Sequence, residues 1–287
     1  MIFSDASGRI SDQAPQVSFL DHGFLFGDSV YEVVRLYDGK LFGWVEHRER
    51  LLKSCQRLQI NIESELGSIE NRIRELFQSF AKSNAALRII ITRGVGKLNI
   101  DPRSCEKPQI YMAVWEFDQT SAPTSVRIMI SRMRRNHRLS MDPRIKSGNY
   151  LNNIMAIQEA IASGYDDALM LNPEGFLTEL TTSNIAWFRD SKWETPSMES
   201  GILYGTTRHF LVKDSLLKEG LFKEEDLRQA TEIVALSTLK EVVPVSEIRW
   251  SDGTSKNFDK PKNWLQIQEK FRDTVTSHLQ SETGLVG

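Results

Sequence analysis

Lys146 lies between Pro143-Arg144-Ile145 and Ser147-Gly148-Asn149-Tyr150, just ahead of a stretch with helical periodicity. A lysine amine that its surroundings relieve of a proton is a nucleophile and forms Schiff bases with aldehydes. Glu179 follows Phe176-Leu177-Thr178 and precedes Leu180-Thr181. A buried carboxylate of this kind keeps a pyridine nitrogen protonated. Arg50 lies on an amphipathic stretch, and a guanidinium grips a phosphate through two parallel hydrogen bonds. In Ile202-Leu203-Tyr204-Gly205-Thr206-Thr207-Arg208 a glycine and two threonines open a helical pattern. Free backbone N–H groups, the helix dipole and the hydroxyls favour an anion there. Taken singly, each has a plainer reading: a loop lysine, a polar strand end, a solvated helix charge, a threonine N-cap.

The elements that must position these residues are legible from periodicity. Ser29 to Tyr37 is rich in β-branched and aromatic residues and meets Asp38-Gly39, then Lys40-Leu41-Phe42. This spacing predicts a β-hairpin with an Asp-Gly turn. Leu51, Leu52, Cys55 and Leu58 recur at helical spacing within Glu46 to Leu58, and Ile69, Ile73, Leu76 and Phe77 do so within about 68–79. Leu87 to Thr92 and Gln109 to Trp115 are apolar runs of strand length. Asp118 to Ser125 is polar with a proline and predicts a linker. It separates a small N-terminal α/β domain, residues 1–117, from a larger C-terminal domain, 126–287. Beyond it, strands are expected at 126–130, 168–171, 185–188 and 233–237. Helices are expected at 149–163, 206–217 and 262–278. The fold class is α+β.

Composition excludes several functions. The chain has 287 residues, 40% hydrophobic and 26% charged, an ordinary globular balance. Its 36 basic and 38 acidic residues give a net charge of −2, which disfavours a nucleic-acid binder. The two cysteines, Cys55 and Cys105, have no CxxC spacing, so reduced thiols in the cytoplasm are expected. No signal peptide and no apolar run long enough to cross a membrane is visible. The five histidines show no metal-ligand spacing, so no metal is expected.

Read together, the motifs resemble one family. Asp21-His22-Gly23-Phe24-Leu25-Phe26-Gly27-Asp28-Ser29-Val30-Tyr31-Glu32, His47-Arg48-Glu49-Arg50-Leu51, Lys146 to Asn153, Glu174 to Glu179 with Ser183-Asn184-Ile185, and Gly201 to Arg208 stand in the order of the class IV aminotransferases. These are two-domain, fold-type IV, pyridoxal 5'-phosphate enzymes of the D-amino-acid aminotransferase type. The resemblance implies that Lys146 carries the cofactor as a Schiff base and then moves the proton between substrate and cofactor. It implies that Glu179 pairs with the ring nitrogen. Arg50, Thr206, Thr207 and Thr238 would bind the phosphate, Asn184 and Tyr150 would contact the cofactor, and Tyr31 would face the substrate. It also implies a homodimer and, as partners, an amino acid and a 2-oxo acid, with transfer through the pyridoxamine form.

The substrate is less sharply indicated. Tyr31-Glu32-Val33-Val34-Arg35 reads like a D-amino-acid aminotransferase, yet the R-x-H pair that grips the carboxylate in those enzymes is missing after Thr92-Arg93-Gly94. Lys97 or Arg88 would then supply the charge. Asn149-Tyr150-Leu151 after Lys146 leans toward branched-chain aminotransferases. The 4-amino-4-deoxychorismate lyases share the scaffold and are the alternative. The basic run Arg132-Met133-Arg134-Arg135-Asn136-His137-Arg138 has no place in the family pattern. It reads as a solvated charged loop, as an attractor of acidic substrates, or as the surface of a non-catalytic binding module.

Overall fold

The structure is a computed structural model that describes residues 1–118, 123–258 and 262–281. Residues 119–122 of the expected linker lie outside the described residues. The chain divides into two compact units. The first comprises Met1–Ser121, Ile145–Asn149 and Ser277–Gly287, and the second Ala122–Arg144 and Tyr150–Thr276.

The first unit is built on a six-stranded antiparallel sheet. Its strands are β1 (Ile2–Ser4), β2 (Ile10–Ser11), β3 (Ser29–Tyr37), β4 (Lys40–Leu41), β5 (Ala85–Thr92) and β6 (Gln109–Glu116), in the order β2-β1-β6-β5-β3-β4. Asp38 and Gly39 both have positive φ, at 45° and 83°, which is what a tight two-residue hairpin turn requires. Three helices accompany the sheet: α1 (His22–Phe26), α2 (Trp44–Arg57) and α3 (Leu66–Phe80). Leu51 and Cys55 of α2 and Ile69, Ile73, Leu76 and Phe77 of α3 join one buried cluster with Val30, Val34, Leu87, Ile89 and Val114 of the sheet. The apolar stripe of each helix is thus the face removed from water, and that burial drives the packing.

The second unit carries a nine-stranded mixed sheet. Its strands are β7 (Val126–Arg134), β8 (Asp167–Leu171), β9 (Leu177–Leu180), β10 (Asn184–Arg189), β11 (Lys192–Pro196), β12 (Leu217–Gly220), β13 (Glu232–Ser237), β14 (Glu241–Arg249) and β15 (Ser255–Asn257). The order is β12-β11-β10-β13-β14-β7-β8-β9, with β15 on β14. The pairs β11–β12, β14–β7 and β7–β8 are parallel. The helices are α4 (Leu151–Ala162), α5 (Thr206–Lys213), α6 (Glu224–Arg228) and α7 (Asn263–Ser281), whose residues from Ser277 onward count with the first unit. Ala156 and Ala160 of α4 pack on Met129, Ala168 and Met170, where small side chains let helix and sheet approach closely.

Several boundaries differ from expectation. The strand expected at 126–130 continues to Arg134. The helix expected at 206–217 stops at Lys213, because Ser215 adopts φ 60° and Leu217–Gly220 leaves to pair with β11. Strands β9 and β11 are too short to show a period, and β14 is interrupted in composition by Pro244, so periodicity misses all three. Among the described residues, no helix is long and apolar enough to cross a membrane.

Candidate active site

The lysine segment is strapped to β3. Tyr31 N–H donates to the Lys146 carbonyl at 3.0 Å, and Gly148 N–H donates to the Ser29 carbonyl at 2.7 Å. Lys146 N–H donates to Ser54 Oγ on α2 at 3.1 Å. At residue 148 a Cβ would stand 2.1 Å from Ser29 Oγ, so any larger residue would have to turn that hydroxyl away. With its backbone held on three sides, Lys146 extends its amine over the Tyr31 ring, with Nζ 4.5 Å from the centroid. The Arg88 guanidinium contacts the same ring, also at 4.5 Å. Arg88 reaches it because β3 and β5 pair Tyr31 with Ile90 and Val33 with Arg88, which makes Arg88 a diagonal neighbour on the same face. Tyr31 is buried and Arg88 is exposed. The structure therefore brings Lys146, Tyr31 and Arg88 together. Lys97 lies in the exposed loop after β5, where its carbonyl, not its amine, meets His22 Nε2 at 3.0 Å.

The neighbouring residue on β3, Glu32, takes the opposite face because side chains alternate along a strand. It is fully buried against α2. Arg50 Nε donates to Oε1 at 2.6 Å and Nη2 to Oε2 at 2.7 Å, a bidentate pair. His47, one helical turn before Arg50, places Nδ1 2.8 Å from Oε2. Burial pushes the Glu32 carboxyl up, but the charge and hydrogen bonds of Arg50 and the contact with His47 outweigh it and hold it well below the usual carboxylate range. Burial pulls His47 down; Glu32 opposes this, while Arg50 and Lys146 add to it. Nδ1 also lies 3.2 Å from Arg50 Nη2, so the carboxylate and the guanidinium both meet the imidazole at that atom. Arg50 is not a solvated helix charge: it is buried, with two of its donors committed to Glu32.

In the second unit Glu179 occupies β9 and is 5% exposed. Oε2 accepts from Asn184 Nδ2 and from the Leu203 N–H, both at 3.0 Å. Oε1 accepts from Arg135 Nε at 3.0 Å. Asn184 also donates from Nδ2 to the Leu203 carbonyl at 3.1 Å, which ties the start of β10 to the segment entering α5. Every group around this carboxylate is a donor, so only an acceptor satisfies them, and a further partner must bring an N–H or O–H of its own.

Gly205 precedes α5 without a side-chain cap. Its φ of −72° is ordinary, so the demand for glycine is spatial: a Cβ would stand 1.8 Å from Asn184 Oδ1. Thr206 and Thr207 are buried at the helix start. Thr207 Oγ1 is buried with no hydrogen-bond partner among the described residues. A buried hydroxyl of that kind at a helix N-terminus suits a phosphate. Arg208 instead turns into the unit and bonds the Pro196 carbonyl and Glu219. Tyr150 is half-buried at the start of α4, and Thr238 is half-buried in the turn between β13 and β14.

The basic run is not a solvated loop throughout. Its first residues belong to β7, and Arg132 pairs with Glu159 at 2.7 Å. Arg135 is buried on Glu179. Sequence reasoning missed Arg135, Glu32, His47 and Ser54 as partners of the site. For Glu32 and His47 the signal was present, since both stand inside quoted motifs; for Arg135 and Ser54 nothing local marks them.

A carboxylate ringed by donors accepts a further N–H or O–H, and a threonine-lined helix start suits an anion; pyridoxal phosphate, with a protonated ring nitrogen and a phosphate, offers both. Residues 29–248 match the family model for amino-transferase class IV, and the chain belongs to that family of pyridoxal-phosphate enzymes. A putative branched-chain-amino-acid aminotransferase of Methanocaldococcus jannaschii is 33% identical over 274 residues, covering 93% of this chain and 94% of that protein. A D-alanine aminotransferase of Staphylococcus haemolyticus is 32% identical over 279 residues, covering 94% and 97%. The crystal structure of a branched-chain aminotransferase from Thermoproteus uzoniensis with norvaline superposes with a TM-score of 0.87 at 27% identity, covering 97% of this chain and 95% of that one. The α+β, fold-type IV architecture expected from the motifs is therefore the one observed.

Proposed function

We propose that this aminotransferase moves the amino group of a small or branched amino acid to a 2-oxo acid. Bound pyridoxal phosphate supplies an electron sink and a carrier for the amino group. In this reading Lys146 Nζ holds the cofactor and moves the proton at the substrate Cα. Glu179 accepts the ring N–H, Asn184 and Tyr150 orient the ring, and Thr206, Thr207, Thr238 and Arg50 hold the phosphate. Arg88, exposed beside the Tyr31 ring that Lys146 touches, meets the substrate carboxylate and takes the place of the missing R-x-H pair. Lys97 is the second candidate for that charge. The observation that carries the reading is the set of donors around Glu179, so that a further partner must bring its own N–H or O–H, as a protonated ring nitrogen does.

The relatives' names motivate both D-alanine and a branched-chain amino acid as donors. The test is an absorbance spectrum of the purified protein, repeated after separate additions of D-alanine, L-leucine and a primary (R)-amine. A yellow band that bleaches with one of them identifies the donor. A band that none of them bleaches favours the lyase reading, with 4-amino-4-deoxychorismate as the next compound. No band, even after added pyridoxal phosphate, sinks the reading and revives the binding module.

We also propose a homodimer in the cytoplasm. In the first unit Phe19 and Phe24, whose ring centroids lie 6.0 Å apart, each expose more than half of their surface, apolar area that a second copy would cover. Cys55 and Cys105 are free thiols, as a reducing compartment keeps them. A sedimentation mass equal to one chain at micromolar concentration would exclude the dimer.

A further inference from the structure

The protein fills both acceptor positions of Glu179 Oε2, through Asn184 and Leu203, and one position of Oε1, through Arg135. A carboxylate offers about four such positions. The remaining one therefore belongs to Oε1, the oxygen that Arg135 holds. Arg135 is itself held. Its backbone N–H donates to the Leu171 carbonyl at 2.8 Å, where β7 ends beside β8. Its Nη1 lies 3.4 Å from Asn153 Oδ1, and Asn153 Nδ2 donates to the Thr181 carbonyl at 2.7 Å. Asn152, the adjacent residue of α4, bonds the backbone on both sides of the junction: it accepts from Asn136 N–H at 3.2 Å and donates to the Arg134 carbonyl at 2.9 Å. The guanidinium is thus fixed by β7, β8 and α4 and is buried to 8% exposure. No other basic side chain of the 132–138 run bonds Glu179.

We infer that Arg135 is a positioning residue for the reaction: clamped by Asn152 and Asn153, it aims Glu179 Oε1 at the protonated nitrogen of the cofactor ring and so sets how firmly that proton is held. This rests on the reading of Glu179 as the ring-nitrogen partner. A planar guanidinium does this better than an ammonium, because its donors are fixed relative to one another and one plane serves Glu179 and Asn153 together. The buried arginine of the basic run thereby has a role that requires neither an acidic substrate nor nucleic acid.

The test compares wild type, Arg135→Met, Arg135→Lys and Glu179→Gln as holoenzymes. The readouts are the pH midpoint of the bound cofactor's absorption band, the dissociation constant of pyridoxal phosphate, and kcat separately from KM. Arg135→Met should move the midpoint in the same direction as Glu179→Gln and by less. It should lower kcat about 10–100-fold, the worth of one charge-assisted hydrogen bond, with KM little changed. Arg135→Lys, which keeps the charge but cannot bond Glu179 and Asn153 in one plane, should fall between Met and wild type. If Glu179→Gln moves the midpoint while Arg135→Met leaves midpoint and kcat at wild-type values, Arg135 is only structural and the inference is wrong. If Glu179→Gln itself leaves the midpoint unmoved, the assignment of Glu179 fails and takes the inference with it. Should Arg135→Met not fold, Arg135→Lys is read alone, and identity with wild type in both midpoint and kcat overturns the inference.

Discussion

Replacing Glu32 by glutamine removes a negative charge from a buried cluster that contains the Arg50 guanidinium and His47. Arg50 keeps its place on α2 with its side chain 6% exposed, so its charge loses the Glu32 carboxylate without gaining water. Breaking a buried pair by deleting one partner costs about 3–5 kcal/mol. For a chain of this size that is a fall in Tm of roughly 6–20 °C. The pH dependence carries a sign. In the folded protein the Glu32 carboxyl is held below its ordinary value of 4.5, and His47 below its ordinary value of 6.5. The unfolded chain therefore binds more protons in these windows, and stability falls as pH falls. Wild type should begin to lose stability below about pH 6.5 through His47 and lose it more steeply below about pH 4.5 through Glu32. The gap between Glu32→Gln and wild type should accordingly be widest near pH 7 and narrow below about pH 4.5. The assay is calorimetric melting of both proteins at a series of pH values. The pair Glu32→Met with Arg50→Met should be more stable than either single variant, because an apolar pair leaves no charge behind. A Glu32→Gln protein that melts within 2 °C of wild type at neutral pH, by an order-of-magnitude threshold, would refute the buried-pair reasoning.

Lys146→Ala should lower turnover by at least about 10²–10⁴-fold, the worth of a positioned acid–base group, as read by single-turnover bleaching of the bound cofactor; native-rate turnover in that variant removes Lys146 from the chemistry. Thr207→Val deletes a buried hydroxyl that has no hydrogen-bond partner among the described residues, so the cofactor-free protein should melt at the same temperature or higher while its affinity for pyridoxal phosphate falls about tenfold; an unchanged dissociation constant takes Thr207 out of the phosphate site. Gly205→Ala drives a methyl into Asn184 Oδ1 and should cost about 1–3 kcal/mol in urea melts, with weaker cofactor binding because Asn184, with the Leu203 N–H, holds Glu179 Oε2; full cofactor affinity would show that Asn184 can move without consequence.

Periodicity captured the elements whose apolar faces repeat over several turns or alternations. Helices α2, α3, α4 and α7 and strands β3, β5 and β6 are long enough for burial to write a period into the residues. Strands β9 and β11 are not, and each is a strand because its neighbours supply the hydrogen bonds. Glu179 shows the consequence. Read locally it is a polar residue at the end of an apolar run; in the sheet it is a buried carboxylate with three donors.

What the residue order alone determined was membership of the class IV aminotransferases, and with it the cofactor, because the motif wording is a local property of short segments. Tertiary structure alone decided the partners. Arg135 and Glu179 are 44 residues apart, and Glu32 and Arg50 are 18 apart. Arg132, Arg134, Arg135 and Arg138 are chemically equal as sequence, yet only Arg135 is buried on Glu179, while the other three stay exposed. The end of β7 and the two asparagines of α4 make that choice. Such a pairing depends on which backbone positions chain folding brings face to face, and a residue's immediate neighbours hold no record of that.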